Sequence, residues 1–592
     1  MKELTSLTHN IFKLYSVFDN KRKYQVFYVL LINIFNGLLE YLTLFAVSLF
    51  LSSLSDPKSI IDNTNFLSKL NLNINDDSEV VFYSTLIFSL IILFSSITRI
   101  INLWINMKYR TSLITFLQKK SFSKIIQQNY NFHISTNSSD LLTILTTDIE
   151  KTNFFIENLQ TFITSIFIGL SLIIGLVNLN AKISLLSVLL FFILYTFLGK
   201  YTNKSVKIFS KRESKANSEI IKRIIESLGS IRELILSGNQ SFVLNKFNNS
   251  SDSLRINQGY NAFITTFSRF AFEGIGLLLV AIIGYFVFND SNNTKSVIAL
   301  LGTFALGALK LLPTMQSLYR SYSLLYFYEK PLEKVLKILY LPSKIFSGNY
   351  RKKTFKESIE INNLYFKFPG SHNHLLKNIN LKIFKGEKIG IIGKTGSGKT
   401  TLINLIMGLL SPTQGSIKVD KESIFNSNRE IRNSWLKNIT LVPQEIFIYD
   451  SSIYENIAFN INIADINKKE IEKSAKLACA HEFIMKRPYK YDSITGEKGI
   501  NFSGGQKQRL GIARAIYSDS AVIILDEATS ALDQKTENKV IGSLLQIEDK
   551  TIISITHRLN TLKDFDRIIE LENGTIKKIY RGKELNKANE KL

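Results

Sequence analysis

Six long runs of apolar residues constrain this chain more than any other feature of its sequence. A helix needs roughly 20 mainly apolar residues to cross the hydrocarbon core of a bilayer. Runs that approach or exceed this length lie at 24–50, 80–106, 153–177, 183–198, 262–288 and 297–318. Together they favour a polytopic, all-α membrane domain of six transmembrane helices over a soluble helical protein. The first run is longer than the apolar region of a cleavable signal peptide, so we expect it to be retained.

The distribution of lysine and arginine predicts which side of the membrane each connection faces. Positive residues precede the first span at 21–23 and crowd the long connections at 108–124 and 204–223, whereas acidic residues prevail at 55–79. Cytoplasmic loops carry an excess of lysine and arginine. The N-terminus, both long connections and everything after the sixth span are therefore predicted to be cytosolic. Both connections keep apolar residues at helical spacing, which predicts long cytosolic extensions of the membrane helices.

The formal net charge of +24 does not by itself indicate a nucleic-acid partner. Lysines are scattered along the chain, and no basic tail or basic–aromatic platform for bases stands out. Excess positive charge also follows from the membrane topology. We therefore predict no nucleic-acid partner. The single cysteine, Cys479, excludes an internal disulfide and suits a reducing cytosol.

Ionisable residues interrupt the predicted spans at Glu40, Arg99, Arg269, Glu273 and Lys310. A charge in a bilayer is costly and usually faces a partner or a water-filled cavity. Arg269 and Glu273 are four residues apart and can pair on one helix face. Glu40 and Lys310 have no partner nearby in the sequence. They are candidates, together with Arg99 and Arg269, for lining a substrate pathway.

Beyond the last span, the pattern changes from long apolar runs to short β runs that alternate with helices. This pattern is typical of a soluble α/β domain. We predict a membrane domain over 1–340, a linker over 341–357 and an α/β domain over 358–592. The fold class is therefore multidomain, with an all-α membrane domain fused to an α/β domain.

A phosphate-binding loop lies near the start of the α/β domain. Residues 393–400 read Gly-Lys-Thr-Gly-Ser-Gly-Lys-Thr, between an apolar strand pattern and a helical run. Glycines let backbone N–H groups close around phosphate oxygens, and the helix N-terminus adds a favourable dipole. Lys399 can reach the β- and γ-phosphates, and Thr400 can ligate Mg²⁺. The predicted ATP-binding residues here are Gly393, Thr395, Gly396, Ser397, Gly398, Lys399, Thr400 and Thr401.

A second apolar strand pattern, at 521–525, ends in two carboxylates, Asp526 and Glu527. Asp526 is positioned to hold Mg²⁺, and Glu527 is positioned to polarise an attacking water as a general base. Either carboxylate could instead cap the following helix. Beside a phosphate loop, the metal and water roles are favoured.

Residues 503–506, Ser-Gly-Gly-Gln, resemble the signature sequence of ABC transporter ATPase domains, which other phosphate-loop NTPases lack. Other family motifs follow in order: Phe368 matches the adenine-stacking aromatic, Gln444 the Q-loop, Glu497 the X-loop, Asp533 the D-loop and His557 the switch histidine. With its predicted membrane domain, the chain is identified as a half-transporter of the exporter type. The family often has Leu at Phe502 and Tyr at Phe368, and neither departure removes a group needed for phosphate or metal binding.

The resemblance implies an ATP site shared by two copies. The signature residues Ser503, Gly504, Gly505 and Gln506, with Asp533, would complete the site formed by the phosphate loop of the partner. It also implies catalytic roles for Glu527, His557 and Gln444, and Mg²⁺ held by Thr400, Gln444 and Asp526. A lone histidine is more often structural, but its place in this motif set favours the switch role. Because one chain carries every motif, a homodimer is favoured, and a heterodimer stays open.

The membrane half resembles bacterial flippases that move lipid-linked oligosaccharides for protein N-glycosylation. The similarity lies at 269–276, at 309–313 and at Glu40, with a further stretch, 66–72, similar to a short external helix of that group. It implies an ATP-driven flippase in the cytoplasmic (inner) membrane, with its ATPase domain in the cytosol and membrane lipid as a partner. The span cations could receive an anionic pyrophosphate head group, or they could only neutralise Glu40 and Glu273. Alternatives are an exporter of a peptide, lipid or small amphipathic molecule, and an ATP-gated channel or regulator.

Overall fold

The computed structural model describes residues 2–55, 57, 77–179, 181–290, 294–342, 353–425 and 429–581. For some helical residues, Arg269 among them, it describes the backbone alone. The chain divides into two compact units, of which the first comprises Met1–Gln128 and His133–Lys344 and the second Asn129–Phe132 and Ile345–Leu592. The predicted boundaries at 340 and 358 stay predictions.

The first half of the chain consists of helices joined by short turns in its described residues. Its α-helices are α1 (Lys2–Ser16), α2 (Asn20–Ser55), α3 (Asp77–Ile126), α4 (Tyr130–Ser135), α5 (Ser138–Thr143), α6 (Ile149–Leu179), α7 (Ala181–Gly229), α8 (Ile231–Ser237), α9 (Gln240–Asp290) and α10 (Thr294–Leu339), and a π-helical turn (Ile144–Asp148) precedes α6. Five of them exceed 35 residues. A helix of 50 residues is about 75 Å long, far more than the roughly 30 Å of a hydrocarbon core. The long helices therefore provide the extensions that the sequence predicted.

Three helical stretches among the described residues are long and apolar enough to cross a membrane, namely Asn20–Ser55, Asp77–Ile126 and Ser138–Asn178. The remaining predicted spans fall within α7, α9 and α10, which are 49, 51 and 46 residues long. The number of six spans stays a prediction. The predicted short external helix at 66–72 lies outside the described residues.

The helices of the first unit pack through a core of large aliphatic and aromatic side chains. Leu117, Phe155 and Leu332 of this core are completely buried. Small residues allow closer contacts, since a Cβ on Gly37 of α2 would lie 3.0 Å from the carbonyl oxygen of Phe167 in α6. Large apolar side chains elsewhere point outward, as at Leu103 of α3, which is 73% exposed. A bilayer, where small residues mediate helix contacts, accounts for both features.

Charged pairs join the first unit's helices outside the predicted spans. Lys334 Nζ of α10 lies 3.3 Å from an Oδ atom of Asp148, whose side chain is 2% exposed. Lys151 Nζ of α6 lies 2.6 Å from Glu213 Oε1 of α7. Each pair holds one helix against the next at a buried carboxylate.

The second unit contains two sheets. Its strands are β1 (Ser358–Phe366), β2 (Leu376–Phe384), β3 (Lys388–Ile392), β4 (Gln414–Val419), β5 (Glu422–Ser423), β6 (Ile439–Val442), β7 (Val522–Asp526), β8 (Thr551–Ile555), β9 (Arg567–Glu572) and β10 (Thr575–Arg581). Antiparallel pairs build the smaller sheet, in the order β2-β1-β4-β5. The larger has the order β10-β9-β3-β8-β7-β6, parallel except for β10. Strands of a parallel sheet are covered on both faces, which explains the apolar run 522–525 of β7 and the burial of every residue of β8.

The α-helices of the second unit are α11 (Lys399–Ile406), α12 (Arg429–Leu436), α13 (Ile453–Ala458), α14 (Lys468–Leu477), α15 (His481–Met485), α16 (Gly504–Tyr517) and α17 (Gln534–Leu545). They divide between two hydrophobic cores. Leu402 of α11 belongs to one core with Ile389 of β3, and Leu510 of α16 belongs to the other with Ile448. The larger sheet brings the carboxyl ends of β3, β7 and β8 to one edge, where ligands bind in open α/β sheets. The helical first half and α/β second half confirm the predicted fold class.

Candidate functional site

The phosphate loop connects β3 to α11 and depends on glycine at two close approaches. Gly393 has φ +151°, and a Cβ there would lie 2.2 Å from the carbonyl oxygen of Leu571. Gly398 has φ +98°, and a Cβ there would lie 2.6 Å from the side chain of Leu376. Both positions combine a backbone conformation that glycine favours with space that only glycine fits. The loop therefore lies pressed against the sheet, with its backbone exposed on the other side.

Lys399 and Ser397 equip this loop to hold an anion. Lys399 Nζ donates hydrogen bonds to the carbonyl oxygens of Gly393, at 2.7 Å, and Lys394, at 3.0 Å. Burial lowers the pKa of Lys399, and the charges of the neighbouring carboxylates oppose this shift. Ser397 Oγ is buried without a hydrogen-bond partner in the described part of the chain. A buried unpaired hydroxyl, a cation and a helix N-terminus fit the phosphates of ATP.

Asp526 ends β7 beside the first turn of α11. Burial, and next the charge of Glu527, raise the pKa of Asp526, while Lys399 and a hydrogen bond from Thr400 act in the opposite direction. A carboxylate beside a threonine hydroxyl is an oxygen donor set of the kind that Mg²⁺ prefers. The predicted metal ligands Asp526 and Thr400 are thus adjacent, and they fit the ion.

Glu527 is the point at which the three predicted catalytic side chains meet. Gln444 Nε2 donates to Glu527 Oε2 at 2.8 Å, and His557 Nε2 lies 2.9 Å from Glu527 Oε1. Glu527 has φ +50°, which is uncommon outside glycine and clusters at functional sites. Its side chain is 24% exposed, so that water can reach it. The arrangement orients both carboxylate oxygens, as a general base requires. Gln444 contacts Glu527 here, and its predicted metal role stays a prediction.

The signature residues form the N-terminus of α16. Ser503 is the N-cap and makes a capping box with Gln506, because each side chain bonds the backbone N–H of the other. A Cβ on Gly505 would lie 2.9 Å from the carbonyl oxygen of Ala531, and one on Gly504 would lie 3.4 Å from the Ala531 Cβ. The two glycines therefore let the backbone before the D-loop residue approach the signature helix closely.

Asp533 begins the next helix, α17. It is the N-cap and accepts a hydrogen bond from Thr536 N at 2.9 Å. Hydrogen bonds from the Thr536 side chain and next from its backbone N–H lower the pKa of the exposed Asp533 carboxyl. Capping of α17 by itself explains why an aspartate stands at this position. The predicted role of Asp533 in ATP binding across a dimer stays a prediction.

Two further residues, which no sequence motif marks, hold the D-loop. Gln508 of α16 donates to Ser530 Oγ at 3.1 Å and accepts from Ala531 N at 2.9 Å. Arg558 donates to the Ser530 carbonyl at 3.0 Å and to Glu537 Oε2 at 2.9 Å. Arg558 directly follows the predicted switch histidine, and that adjacency was the signal that could have pointed to it. The network joins the signature helix, the D-loop and the loop of the switch histidine.

The remaining predicted ATP-site residues lie at the surface of the second unit or in its first helical turn. Phe368 is 37% exposed and packs edge-to-face against Phe366, with ring centroids 5.0 Å apart. One face of that ring is thus free of Phe366, as stacking on adenine requires. Glu497 is exposed at the start of a short 3₁₀ turn, and Thr401 is half-buried in α11. Their predicted roles stay predictions.

In the membrane half, three of the four predicted pathway residues come together. Glu40 of α2 is buried, and Lys310 Nζ of α10 lies 3.1 Å from its Oε2. Arg99 of α3 pairs with the other oxygen of the same carboxylate. Lys310 also donates to Thr43 Oγ1 at 2.5 Å. The cluster therefore holds two cations and one carboxylate, which leaves one positive charge in excess. The side chain of Arg269 lies outside the described residues.

A set of buried and half-buried asparagines extends this polar cluster along α2 and α3. Asn102 Nδ2 donates to Asn33 Oδ1 at 3.1 Å, and Asn106 Nδ2 donates to Asn102 Oδ1 at 2.6 Å. Both polar side-chain atoms of the buried Asn36 have no partner in the described structure. Asn33, Asn36 and Glu40 share one face of α2. A polar side chain buried in a membrane domain usually has a partner or faces a cavity, so this face of α2 is its polar one.

Comparison with known proteins covers both halves of the chain. Residues 26–306 match the family model described as "ABC transporter transmembrane region", and residues 376–530 match the model described as "ABC transporter". A heterocyst differentiation ATP-binding protein, HepA, from a Nostoc species is 31% identical over 464 residues, which are 78% of this chain and 75% of that protein. An ATP-dependent lipid A-core flippase from Legionella pneumophila is 30% identical over 473 residues, 78% of each chain.

One solved structure shares the fold over almost its whole length. It is described as a bacterial Atm1-family ABC exporter with ATP bound. The aligned region covers 96% of this chain and 97% of the solved chain. The TM-score is 0.80, and the sequence identity is 19%. At this identity the similarity concerns the fold.

Proposed function

Because this chain belongs to the ABC transporter family, as a half-transporter of the exporter type, we propose that it is a flippase for a lipid-linked oligosaccharide or a related glycolipid. ATP hydrolysis by its ATPase domain is coupled to transport across a membrane. The observation that carries the substrate proposal is the charge cluster of Glu40, Arg99 and Lys310. A lipid pyrophosphate is anionic, and this cluster offers a cation in excess within the membrane domain.

Two further observations support a lipid-anchored substrate. The 30% identical relative from Legionella pneumophila is named a lipid A-core flippase. Arg99 and Lys310 keep 51% and 33% of their side chains exposed although both contact a buried carboxylate. Each cation therefore has donors available for a second anion, since an arginine carries five N–H donors and a lysine three.

We propose that two identical chains form the transporter. Half-transporters of this family typically dimerise, and this chain carries a complete set of motifs. Within the chain, the phosphate-loop helix α11 and the signature helix α16 belong to different hydrophobic cores. This separation supports a site completed by the signature residues of a second copy.

In such a site, Lys399, the loop backbone and Ser397 would hold the phosphates, and Thr400 and Asp526 would hold Mg²⁺ with Gln444 joining them. The ion would neutralise charge on the phosphate oxygens. Glu527 would take the proton from the attacking water, while His557 keeps its carboxylate oriented. The hydrolysis product has lost the γ-phosphate contacts, so the closed dimer loses its advantage over the open one.

We place the protein in the cytoplasmic membrane as a multi-pass protein, with the ATPase domain in the cytosol. The excess of lysine and arginine in the N-terminal segment and in both long connections supports this orientation. Membrane lipid then surrounds the membrane-spanning helices of the first unit.

The test is a flipping assay on purified protein in lipid vesicles, with a fluorescent polyprenyl-pyrophosphate oligosaccharide. We expect ATP-dependent movement of the lipid and stimulated ATPase activity. Lys310→Gln should lose both responses, whereas Lys330→Gln, on the exposed part of the same helix, should keep them. Lack of flipping by ATP-active protein would refute the substrate proposal, and ATPase stimulation by a hydrophobic peptide instead would favour a peptide exporter. Unitary currents across a planar bilayer would favour a channel.

A further inference from the structure

A basic groove runs along the outside of the first unit, where α2 begins beside the middle of α3. Its cavity volume is about 750 Å³. The lining includes Arg22 from α2 and Trp104, Lys108, Phe116, Lys119 and Lys120 from α3. This groove shares no residue with the Glu40 cluster or with the ATP site.

The groove contains four cations, and its lining includes no acidic side chain. Aromatic rings hold three of them in place. The Arg22 guanidinium lies 3.9 Å from the Phe116 ring centroid, and Lys120 Nζ lies 5.1 Å from the same ring. Lys108 Nζ lies 4.9 Å from the ring of Trp104. Cations fixed by aromatic faces lose less conformational entropy when they bind a ligand.

Hydrogen-bond donors in the groove are only partly used. Arg22 donates to both oxygens of Asp19, at 2.9 and 2.8 Å, and both bonds come from Nη1. Lys120 Nζ donates to the carbonyl oxygen of Val17 at 2.9 Å, and an ammonium has further donors. After Asp19 neutralises Arg22, the three lysines keep the groove positive. An anion with several acceptor oxygens would complete this set.

The position of the groove matches the level of lipid head groups. Trp104 is the first residue of α3 in its lining, and the α3 residues that precede it, Ile97, Ile100 and Leu103, are all more than half exposed. On α2, Tyr24 and Tyr28 are exposed just after the start of the helix. Tryptophan and tyrosine mark the membrane–water interface, and basic pockets beside it receive lipid phosphates. The groove therefore begins where the lipid-facing surface ends.

We propose that the basic groove binds the head group of an anionic phospholipid, with the phosphate attracted by the cations that line the groove and the acyl chains along the exposed apolar face of α3. The occupant is a lipid of the surrounding membrane and is separate from the transported substrate. A neutral zwitterionic lipid carries a cationic amine that would face the lysines, so the groove discriminates by charge. Its bound lipid ties the α1–α2 junction to α3 at the membrane surface.

The experiment compares phosphatidylglycerol with phosphatidylcholine as probes, added to purified protein in neutral detergent, with bound lipids counted by native mass spectrometry. We expect tighter binding of phosphatidylglycerol. Lys108→Gln with Lys119→Gln should weaken it about ten-fold or more, because each substitution removes a charged hydrogen-bond donor to the head group. The matched control is Lys211→Gln with Lys215→Gln, which removes the same charge from exposed positions on α7.

Both lysine pairs should leave ATPase activity in phosphatidylcholine vesicles unchanged, which shows that each variant is folded. Equal binding of the two lipids by wild type, or equal loss in both variants, would overturn the proposal. Displacement of bound lipid by soluble glycerol phosphate at matched concentration would indicate a phosphate site instead, and would also overturn it. No arm contains a glycolipid, so the result is independent of the proposed transport substrate.

Discussion

Glu527 contacts both of the other predicted catalytic side chains of the ATP site. Gln444 and His557 approach its two oxygens from different loops, at 2.8 and 2.9 Å. Neither contact involves a neighbour in sequence, so the sheet must place the ends of β6, β7 and β8 side by side before the three groups meet. The carboxylate is oriented by the protein before any substrate arrives, which reduces the reorganisation that proton transfer requires.

Glu527→Gln should bind ATP as the wild type does and hydrolyse it at least about 10²-fold more slowly, because the amide cannot accept the proton of the attacking water. Nucleotide binding and phosphate release, measured on the same preparation, check both parts. Glu445→Gln removes an exposed carboxylate from the loop that carries Gln444 and should keep full turnover. Near wild-type hydrolysis by Glu527→Gln would refute the general-base role.

The site residues that the sequence could predict are those with a local sequence signal. Lys399 follows the glycine-rich loop after β3, and Asp526 and Glu527 stand at the end of β7, so all three reach the carboxyl edge of the parallel sheet. By contrast, Arg558 reaches Glu537 across 21 positions, and Lys310 reaches Glu40 across 270. Such contacts depend on how helices and strands pack in three dimensions, so residue spacing along the chain does not predict them.

At the scale of elements, two signature glycines set the distance between the start of α16 and the chain before α17. Gly505→Ala would place a Cβ 2.9 Å from the carbonyl oxygen of Ala531, so backbone must move. We expect a loss of about 1–3 kcal/mol in the stability of the ATPase domain and at least about a ten-fold loss of ATPase activity. Thermal denaturation and phosphate release measure the two effects.

The control for that substitution is Gly542→Ala within α17, where an added Cβ meets nothing within 4 Å. Alanine is the better helix former, so this variant should gain about 0.5–1 kcal/mol. A Gly505→Ala protein as stable and active as wild type would show that the observed approach does not constrain the site.

The helices of the membrane unit should depend on their buried charge pairs. Lys334→Met removes the cation from Asp148, whose side chain is 2% exposed. A buried carboxylate left without its partner costs about 3–5 kcal/mol when the pair is fully buried, and about 2 kcal/mol here because Lys334 is partly exposed. Thermal unfolding in detergent should show a lower Tm.

Lys330→Met is the matched control for this prediction, because Lys330 lies one turn away on α10 and pairs with the partly exposed Glu333. Surface pairs contribute about 0–1 kcal/mol. Equal Tm values for the two variants would mean that the Lys334–Asp148 contact adds nothing to stability.

Elements were predicted unevenly from the sequence. The long apolar runs and their helical continuations were clear, because both periodicity and composition mark them. The breaks between α4, α5 and the π-helical turn at Ile144–Asp148 carry no such signal, since a local change of hydrogen-bond pattern needs no change in polarity. The capping boxes at Ser452 and Ser503 follow the known Ser-x-x-Glu/Gln pattern.

At the scale of the whole molecule, the proposed site between two copies can be tested by complementation. Lys399→Ala inactivates a phosphate loop, and Ser503→Arg inactivates a signature motif. Co-expression of these two variants, each with its own affinity tag, yields mixed dimers after purification through both tags. Such dimers contain one intact composite site and should regain up to about half of the wild-type ATPase activity.

Each variant alone should be inactive, since both of its composite sites then contain the lesion. A second pair, Lys399→Ala with a chain carrying both changes, has no intact site in any pairing across two chains and should stay inactive. Activity in that second pair, or its absence from the first while both chains co-purify, would refute a site shared between copies.

The excess positive charge of the Glu40 cluster has an electrical consequence. A unit charge that crosses the whole membrane field changes in energy by about 2.3 kcal/mol for each 100 mV. Any turnover step that shifts Arg99 or Lys310 along the membrane normal therefore performs work against the resting voltage, in proportion to the distance moved. An anionic substrate bound to the cluster would neutralise that charge, so the substrate-bound and substrate-free transporter would respond differently to an imposed potential.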